Sequence, residues 1–138
     1  MAERHMQIGE VAERTGLSLR TIRYYEEVGL VRPSSRSRGG FRLYSEADVD
    51  RLRLVKQMKP LEFTLEQMSE VLSALDRLGS PESAARLPAA ERARLRERLR
   101  VYHDAAESRR RVLLEQLHGV ERFAAELRTM IGPGRLLS

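Results

Sequence analysis

The sequence of 138 residues contains no cysteine and no tryptophan, and its aromatic side chains are only three Phe and four Tyr. Without cysteine, disulfides, thiolate zinc sites and thiol redox sensing are excluded. Seven aromatic side chains are few for a chain that packs one large globular core. The first fifteen residues hold no apolar run, so we expect neither a signal peptide nor a membrane-spanning helix. These absences predict a cytoplasmic protein with no membrane partner.

Acidic residues are fewer than basic ones. The chain has 25 Lys and Arg against 20 Asp and Glu, a formal net charge of +5. A surplus of this kind favours an acidic partner, such as nucleic acid or an anionic membrane surface. The imbalance is sharpest between Val31 and Ser45, where four arginines occur without one acid.

Two short amphipathic helices joined by a tight "TGLS" turn are predicted near the start of the chain. Gly16 is suited to end the first helix, and Ser18 is a good N-cap for the second, which runs towards Gly29. Two short helices joined in this way are typical of a helix-turn-helix.

One face of the second helix carries Arg20, Thr21 and Tyr24, whereas Tyr25 is expected to pack inward. A helix-turn-helix places the start of this helix in the DNA major groove. There an arginine can reach guanine edges or phosphate, and a threonine offers a hydroxyl and a methyl group. The alternative is a plain three-helix core with solvated arginines. We favour DNA binding because the acid-free segment that follows supports it independently.

The residues after the second helix predict a wing. Phe41 and Leu43 alternate with Arg42 and Tyr44, as in a short strand with one face buried. Two glycines before this strand permit a tight reversal. The arginines that can straddle the phosphate backbone are Arg36, Arg38 and Arg42.

Helix signals resume after the wing. Ser45 with Asp48, and Thr64 with Gln67, are typical of residues that cap the starts of a third and a fourth helix, which Pro60 separates. The segment that follows is small, polar and proline-bearing, as in a linker. The predicted organisation is a winged-helix DNA-binding domain at residues 7–78, a linker at 79–87, a long helix at 88–131 and a short tail at 132–138.

The long helix predicts a partner. About 44 residues without an internal proline would span roughly 66 Å as one helix. Its apolar positions recur in steps of three and four, with Arg109 filling one slot, which is typical of a coiled-coil seam. One helix cannot bury this seam alone, and a second copy is the simplest partner. The seam positions are Leu95, Leu99, Tyr102, Ala106, Leu113, Leu117, Val120, Ala124, Leu127 and Ile131.

Three motifs carry a specific resemblance. "IRYYEEVGL", "GGFRLYS" and "FTLEQM" stand in one segment that runs from Gln7 to about Leu78. This segment resembles the DNA-binding half of the MerR family of transcription regulators, and the long helix resembles its antiparallel dimerisation coil in position and length. One departure is Glu62, where members of the family commonly have glycine.

The resemblance implies a mainly helical fold, a winged helix-turn-helix followed by a long helix that pairs as an antiparallel coiled coil. It implies a homodimer that binds double-stranded promoter DNA at a pseudo-palindromic element and bends and untwists it. RNA polymerase, whose two promoter boxes lie too far apart, would then be affected indirectly. The resemblance adds Arg23, Tyr44 and Lys59 to the expected contacts. The full set of predicted DNA-binding residues is Ser18, Arg20, Thr21, Arg23, Tyr24, Arg36, Arg38, Arg42, Tyr44 and Lys59.

Other classes of function fit less well. An enzyme is disfavoured because no glycine-rich phosphate loop, cysteine nucleophile or converging pair of carboxylates can be identified. No cofactor and no metal are predicted, since His103 and its acidic neighbours suit a solvated coil surface better than a metal site. The cluster Arg109 to Arg111 is interpreted as a solvated face rather than a second DNA site. An architectural or repressing DNA-binding protein without activator function stays open as the alternative.

Overall fold

A computed structural model describes residues 5–132 of the chain, and these residues are mainly helical. They form two compact units, the first ending at Leu99 and the second beginning at Arg100. The elements in order are α1 (Ile8–Thr15), α2 (Leu19–Glu27), β1 (Ser35–Arg36), β2 (Arg42–Leu43), α3 (Glu46–Met58), a 3-10 turn (Lys59–Leu61), α4 (Leu65–Leu78), α5 (Pro81–Ala85) and α6 (Ala89–Ile131).

The first two helices form the predicted helix-turn-helix. Gly16 ends α1 in the left-handed conformation at φ 74°, and its N–H donates to the carbonyl of Ala12. Ser18 then caps α2, because its hydroxyl accepts from the backbone N–H of Thr21 at 3.1 Å. The turn between the helices is therefore set by local chemistry, as the sequence indicates.

Capping also sets the starts of α3 and α4. Both predicted capping boxes are present, Ser45 with Asp48 and Thr64 with Gln67. Between these helices the chain leaves α3 through the 3-10 turn that contains Pro60. Glu62 follows at φ 60°, the left-handed region in which glycine is favoured. The departure noted in the sequence therefore falls on a position whose backbone suits glycine better.

The wing is an antiparallel hairpin of β1 and β2, with Ser35 opposite Leu43 and Arg36 opposite Arg42. Gly40 takes φ 83° in its turn and donates to the carbonyl of Ser37 at 2.9 Å. At the base of the wing, Met6 and Tyr44 exchange two backbone hydrogen bonds of 2.8 Å each. This bridge adds a third residue pair to the two of the hairpin and joins Met6 to the wing. The sequence did not predict it.

The second strand of the wing has its buried side at Tyr44, the residue that follows β2. The side chain of Tyr44 is 0% exposed, whereas Phe41 is 65% exposed and Leu43 is intermediate. Alternation places Tyr44 and Arg42 on the same side of the strand, and that side faces α2. Phe41 is therefore left at the surface of the wing beside its turn.

The core of the first unit is formed by α1 to α4 together with the base of the wing. Arg14 of α1 pairs with both carboxylate oxygens of Glu46 at the start of α3, at 2.6 and 2.7 Å. The ammonium of Lys56 donates to the carbonyl of Thr15 at 2.8 Å and so satisfies the end of α1. The buried cluster consists of Met6, Val11, Ile22, Tyr25, Leu30, Val31, Tyr44, Val49, Leu52, Val55, Met58, Met68 and Leu72.

The segment predicted as a linker contains a short helix. Ser80 caps α5, Pro81 occupies its first turn, and α5 packs against α4. Beyond it, Arg77 of α4 pairs with Glu91 of α6 at 2.9 Å. The first unit accordingly continues past the predicted boundary at residue 78 and includes the beginning of α6. The small polar residues of this segment predicted a linker. Ser80 and Pro81, however, are also residues that start a helix, and they do so here.

The second unit consists of α6 from Arg100 onward. Two predicted seam residues, Leu95 in the first unit and Tyr102 in the second, are already buried in the single chain, so they offer a partner little surface. His103 and Asp104 contact each other at 3.2 Å on an exposed surface. No helix within residues 5–132 is long and apolar enough to cross a membrane. The large apolar side chains exposed on this unit are Val101, Val112, Leu113, Leu114, Leu117, Val120, Phe123, Leu127, Met130 and Ile131.

Candidate nucleic-acid interface

The outer face of α2 presents a group of cations around one aromatic ring. Arg20, Arg23 and Tyr24 are all exposed, and with Glu27 they line a shallow depression. Tyr25, one residue further, is buried, and its ring is tilted at 52° to that of Tyr24. Burial raises the pKa of Tyr25. The two adjacent tyrosines thus face in different directions, as the helical spacing predicts.

Lys59 is brought to this face from a distant part of the chain. Although it follows α3, it lines a second depression with Arg20, Thr21, Tyr24 and Tyr25. The structure therefore places the end of α3 beside the start of α2. A lysine at this position adds a positive charge within reach of the surface that α2 presents.

The hydroxyls at the start of α2 are already engaged with each other. Ser18 donates from its hydroxyl to the Thr21 hydroxyl oxygen at 2.9 Å, besides accepting from the Thr21 backbone. Ser18 is therefore used first as a helix cap. The hydroxyl of Thr21 keeps its proton for an outside acceptor.

The wing carries its arginines at the surface next to α2. Arg36 is exposed and donates to the carbonyl of Gly40 at 3.1 Å, which holds it along the hairpin. Arg38 is also exposed. Arg23 of α2 lines a depression together with Phe41 and Arg42. The wing and the outer face of α2 therefore meet at a surface to which both contribute an arginine.

The two predicted wing contacts at the end of β2 turn towards Glu26 of α2. The Nε of Arg42 donates to Glu26 Oε1 at 2.6 Å, and the Tyr44 hydroxyl donates to Glu26 Oε2 at 2.9 Å. The interaction with Glu26 raises the pKa of Arg42. Tyr44 is fully buried, so the prediction that it contacts DNA directly does not fit this geometry. Its ring is needed to close the base of the wing.

Sequence reasoning missed three residues of this region. Glu26 joins the wing to α2, Phe41 exposes its ring beside the wing arginines, and Met6 pairs with the base of the wing. One signal was available for Glu26. It belongs to the only pair of acids between Arg14 and Ser45. An acid in so basic a segment suggests that it has a basic partner within the protein.

The fold and this surface define a winged helix-turn-helix module of the DNA-binding kind. The sequence profile described as MerR HTH family regulatory protein matches residues 6–75, just over half of the chain. The chain belongs to the MerR HTH family of regulatory proteins.

Relatives within the family are transcription regulators, not enzymes. The chain is 44% identical over 71 residues to the mercuric resistance operon regulatory protein of Bacillus cereus, which covers 51% of this chain and 54% of that protein. It is 41% identical over 68 residues to the heavy metal-dependent transcription regulator 2 of Rhizobium meliloti, covering 49% of this chain and 46% of that protein. The chain thus spans about half the length of the curated relatives it matches.

Solved structures share the fold over most of the chain. The transcription regulator PbrR691 from Ralstonia metallidurans CH34, in complex with lead(II), superposes with a TM-score of 0.53 at 29% identity, covering 90% of this chain and 86% of that one. HiNmlR, a MerR family regulator lacking the sensor domain and bound to promoter DNA, gives a TM-score of 0.63 at 19% identity, covering 88% and 80%. The latter likeness concerns the fold alone.

Proposed function

We propose that this chain is a sequence-specific DNA-binding transcription regulator that acts as a homodimer on a pseudo-palindromic promoter element. It would bend and untwist the DNA between the polymerase boxes and so act on RNA polymerase indirectly. One observation carries the proposal. Arg20, Arg23 and Tyr24 share a surface with Lys59 and with Arg42 of the wing, and among the described residues Glu27 is the one acid that lines their depressions.

The arrangement supports a division of labour between α2 and the wing. Arg20, Thr21 and Tyr24 lie at the start and on the outer face of α2, where a helix in the major groove reaches base edges. Arg36 and Arg38 lie on the hairpin beside it, where a guanidinium reaches the phosphate backbone. Base contacts would specify the sequence, and phosphate contacts would supply the register and most of the salt-sensitive affinity.

The apolar side chains exposed on α6 support the homodimer. The seam residues Leu113, Leu117, Val120, Ala124, Leu127 and Ile131 recur in steps of three and four, and each is exposed in the single chain. A second copy in antiparallel orientation would cover them. Two winged helices held in this way would present two recognition helices to two half-sites.

The experiment begins with selection of binding sites from random duplex DNA by the full chain. Affinities for the selected site and for random DNA are then measured over a range of salt concentrations. Tyr24→Ala and Arg20→Ala should reduce discrimination between the two DNAs by roughly 1–3 kcal/mol each. Arg36→Ala and Arg38→Ala should weaken both DNAs alike and flatten the salt slope by about one unit.

Arg122→Ala is the matched control. It removes the same charge from an exposed position on α6, on the side of the helix away from the predicted seam. It should change neither discrimination nor the salt slope. If the wing variants altered sequence preference and the α2 variants did not, the assigned roles would be wrong. If no sequence were enriched, the chain would not be a sequence-specific regulator.

A further inference from the structure

One carboxylate stands between the wing and α2. Glu26 is only 15% exposed, and its two oxygens are used separately. Oε1 accepts from the Nε of Arg42 at 2.6 Å, and Oε2 accepts from the Tyr44 hydroxyl at 2.9 Å. Both donors belong to the strand end of the wing. A single side chain of α2 therefore holds two positions on the same side of the wing, Arg42 in β2 and Tyr44 just after it.

The geometry at Arg42 leaves part of its guanidinium available. An arginine has five N–H donors in a planar fork, and Glu26 engages the one on Nε. Neither terminal nitrogen of Arg42 makes a hydrogen bond within residues 5–132, and the side chain is 39% exposed. The fork is thus fixed at its stem, while its two ends keep their donors for a partner outside the described residues. That orientation suits bidentate contact with a phosphate.

The wing needs such a connection because it is small. Each of its strands has two residues, and an isolated two-stranded hairpin is at best marginally stable in water. The backbone pairing of Met6 with Tyr44 holds the base of the hairpin but does not reach α2. Among the described side chains of α2, Glu26 makes the ion pair that reaches the wing.

We propose that Glu26 is a positioning residue for DNA binding, which holds the wing against the recognition helix and aims the terminal nitrogens of Arg42 at a phosphate. The inference rests on the proposed function. It predicts an effect on DNA affinity opposite to the one expected for an acid at a DNA interface. A carboxylate near DNA repels phosphate, so its removal should strengthen binding if charge were its only contribution.

The test compares Glu26→Gln with the wild-type full chain on the selected site and on random DNA. Although the variant loses one negative charge per chain, it should bind the selected site about ten-fold more weakly, because loss of the charged acceptor loosens Arg42 and contacts within one hydrogen-bond network are strongly coupled. Its salt slope should flatten towards that of Arg42→Ala. Glu66→Gln is the matched control, since it removes the same charge from an exposed position on α4. Binding by Glu26→Gln as tight as binding by the control would overturn the proposal.

A double variant tests whether Glu26 acts through Arg42. In the Arg42→Ala background, Glu26→Gln should cause less than about a two-fold further loss, because the side chain it positions is gone. Losses that multiply fully would overturn the assignment.

Arg42→Lys covers the case in which Glu26→Gln does not fold. Lysine keeps the charge but cannot engage Glu26 at its stem and present a fork at the same time. It should therefore lose affinity for the selected site about as much as Glu26→Gln, with its thermal melt showing a folded domain. A Lys variant that bound as the wild type does would contradict the proposal. If the wild-type protein bound neither DNA, the proposed function would be wrong as well. Failure of the proposed function is thereby distinguished from failure of the role assigned to Glu26.

Discussion

Tyr44 shows how burial changes what one hydroxyl can do. Its ring is fully enclosed at the base of the wing, and its hydroxyl donates to a carboxylate instead of meeting solvent. Burial, and then the hydrogen bond to Glu26, raise the pKa of Tyr44 far above the ordinary value for tyrosine. A tyrosinate at this position would face the negative charge of Glu26 in a dry environment.

The raised pKa predicts a loss of stability in alkali. In the unfolded chain Tyr44 ionises near pH 10, whereas in the folded chain it stays neutral well above that pH. Its contribution to stability is therefore complete below about pH 10 and is lost as the pH rises further. Urea unfolding at a series of pH values should show a decline in the free energy of unfolding that Tyr44→Phe reduces. An alkaline decline of the same size in the variant would show that Tyr44 titrates normally.

Glu62 and Glu26 differ in how well their roles can be predicted from the sequence. The left-handed backbone at Glu62 is local, and comparison with a family pattern that has glycine there already pointed to it. The role of Glu26 depends on the wing hairpin. That hairpin begins at Ser35, eight residues after α2 ends at Glu27. Nothing in the spacing of Glu26 alone identifies its two partners.

At the level of elements, helices were predicted well because their ends are set by neighbours in sequence. The caps at Ser18, Ser45 and Thr64 all appear where their side chains can reach an N–H three residues on. The face of β2 that is buried, and the pairing of Met6 with Tyr44, depend on residues far apart in the chain. Alternation over the four residues 41–44 of the predicted strand does not say which side packs inward.

The same distinction applies to the predicted interface. Helical spacing indicated which residues of α2 face outward, and Arg20 and Tyr24 do so. Lys59 was expected through the family resemblance, and its place beside α2 depends on how α3 packs in the first unit. Phe41 was expected to pack on one face of a strand but lies exposed at the wing.

Helix α6 carries more exposed apolar surface than the predicted seam contains. Val112, Phe123 and Met130 lie to one side of the seam, and Phe123 is 60% exposed. The apolar face is therefore wider than a narrow two-residue seam in every heptad. A partner that covers this face would bury the flanking residues together with Leu113 and Leu117.

The seam predicts a dimer that one charge can disrupt. Burying a Leu side chain contributes roughly 1.5–3 kcal/mol, and two-fold symmetry would repeat the change in each chain. Leu117→Glu should therefore raise the dimer dissociation constant at least about 100-fold in analytical ultracentrifugation. His118→Glu, which introduces the same charge on the opposite side of α6, is the control and should leave the dimer intact.

A truncation tests the same interface independently of any local charge. Ending the chain after Leu99 preserves the first unit, in which Leu95 is buried and Arg98 pairs with Glu70. The fragment should be folded and monomeric, and it should bind DNA much more weakly than the full chain. A fragment that still sedimented as a dimer would place the interface in the first unit and not in α6 beyond Leu99.

At the scale of the whole molecule, the proposed mechanism depends on two recognition helices at a fixed separation. In a homodimer joined through α6, the separation would be set by the protein and not by relaxed B-DNA. The duplex would have to deform to meet both helices. Smooth bending of a site of this size costs on the order of 1–6 kcal/mol, which a set of helix and wing contacts can offset.

Distortion predicts a particular response to spacer length. Where the two polymerase boxes lie too far apart, bending and untwisting would bring them into register. Removing about one or two base pairs from the spacer would supply that register in the DNA itself. In runoff transcription with purified polymerase, the shortened promoter should therefore fire without the protein and be repressed or unaffected by it. The native promoter, in contrast, should need the protein. A shortened promoter that still required the protein would indicate recruitment through a protein contact, and repression of both promoters would indicate an architectural or repressing DNA-binding protein.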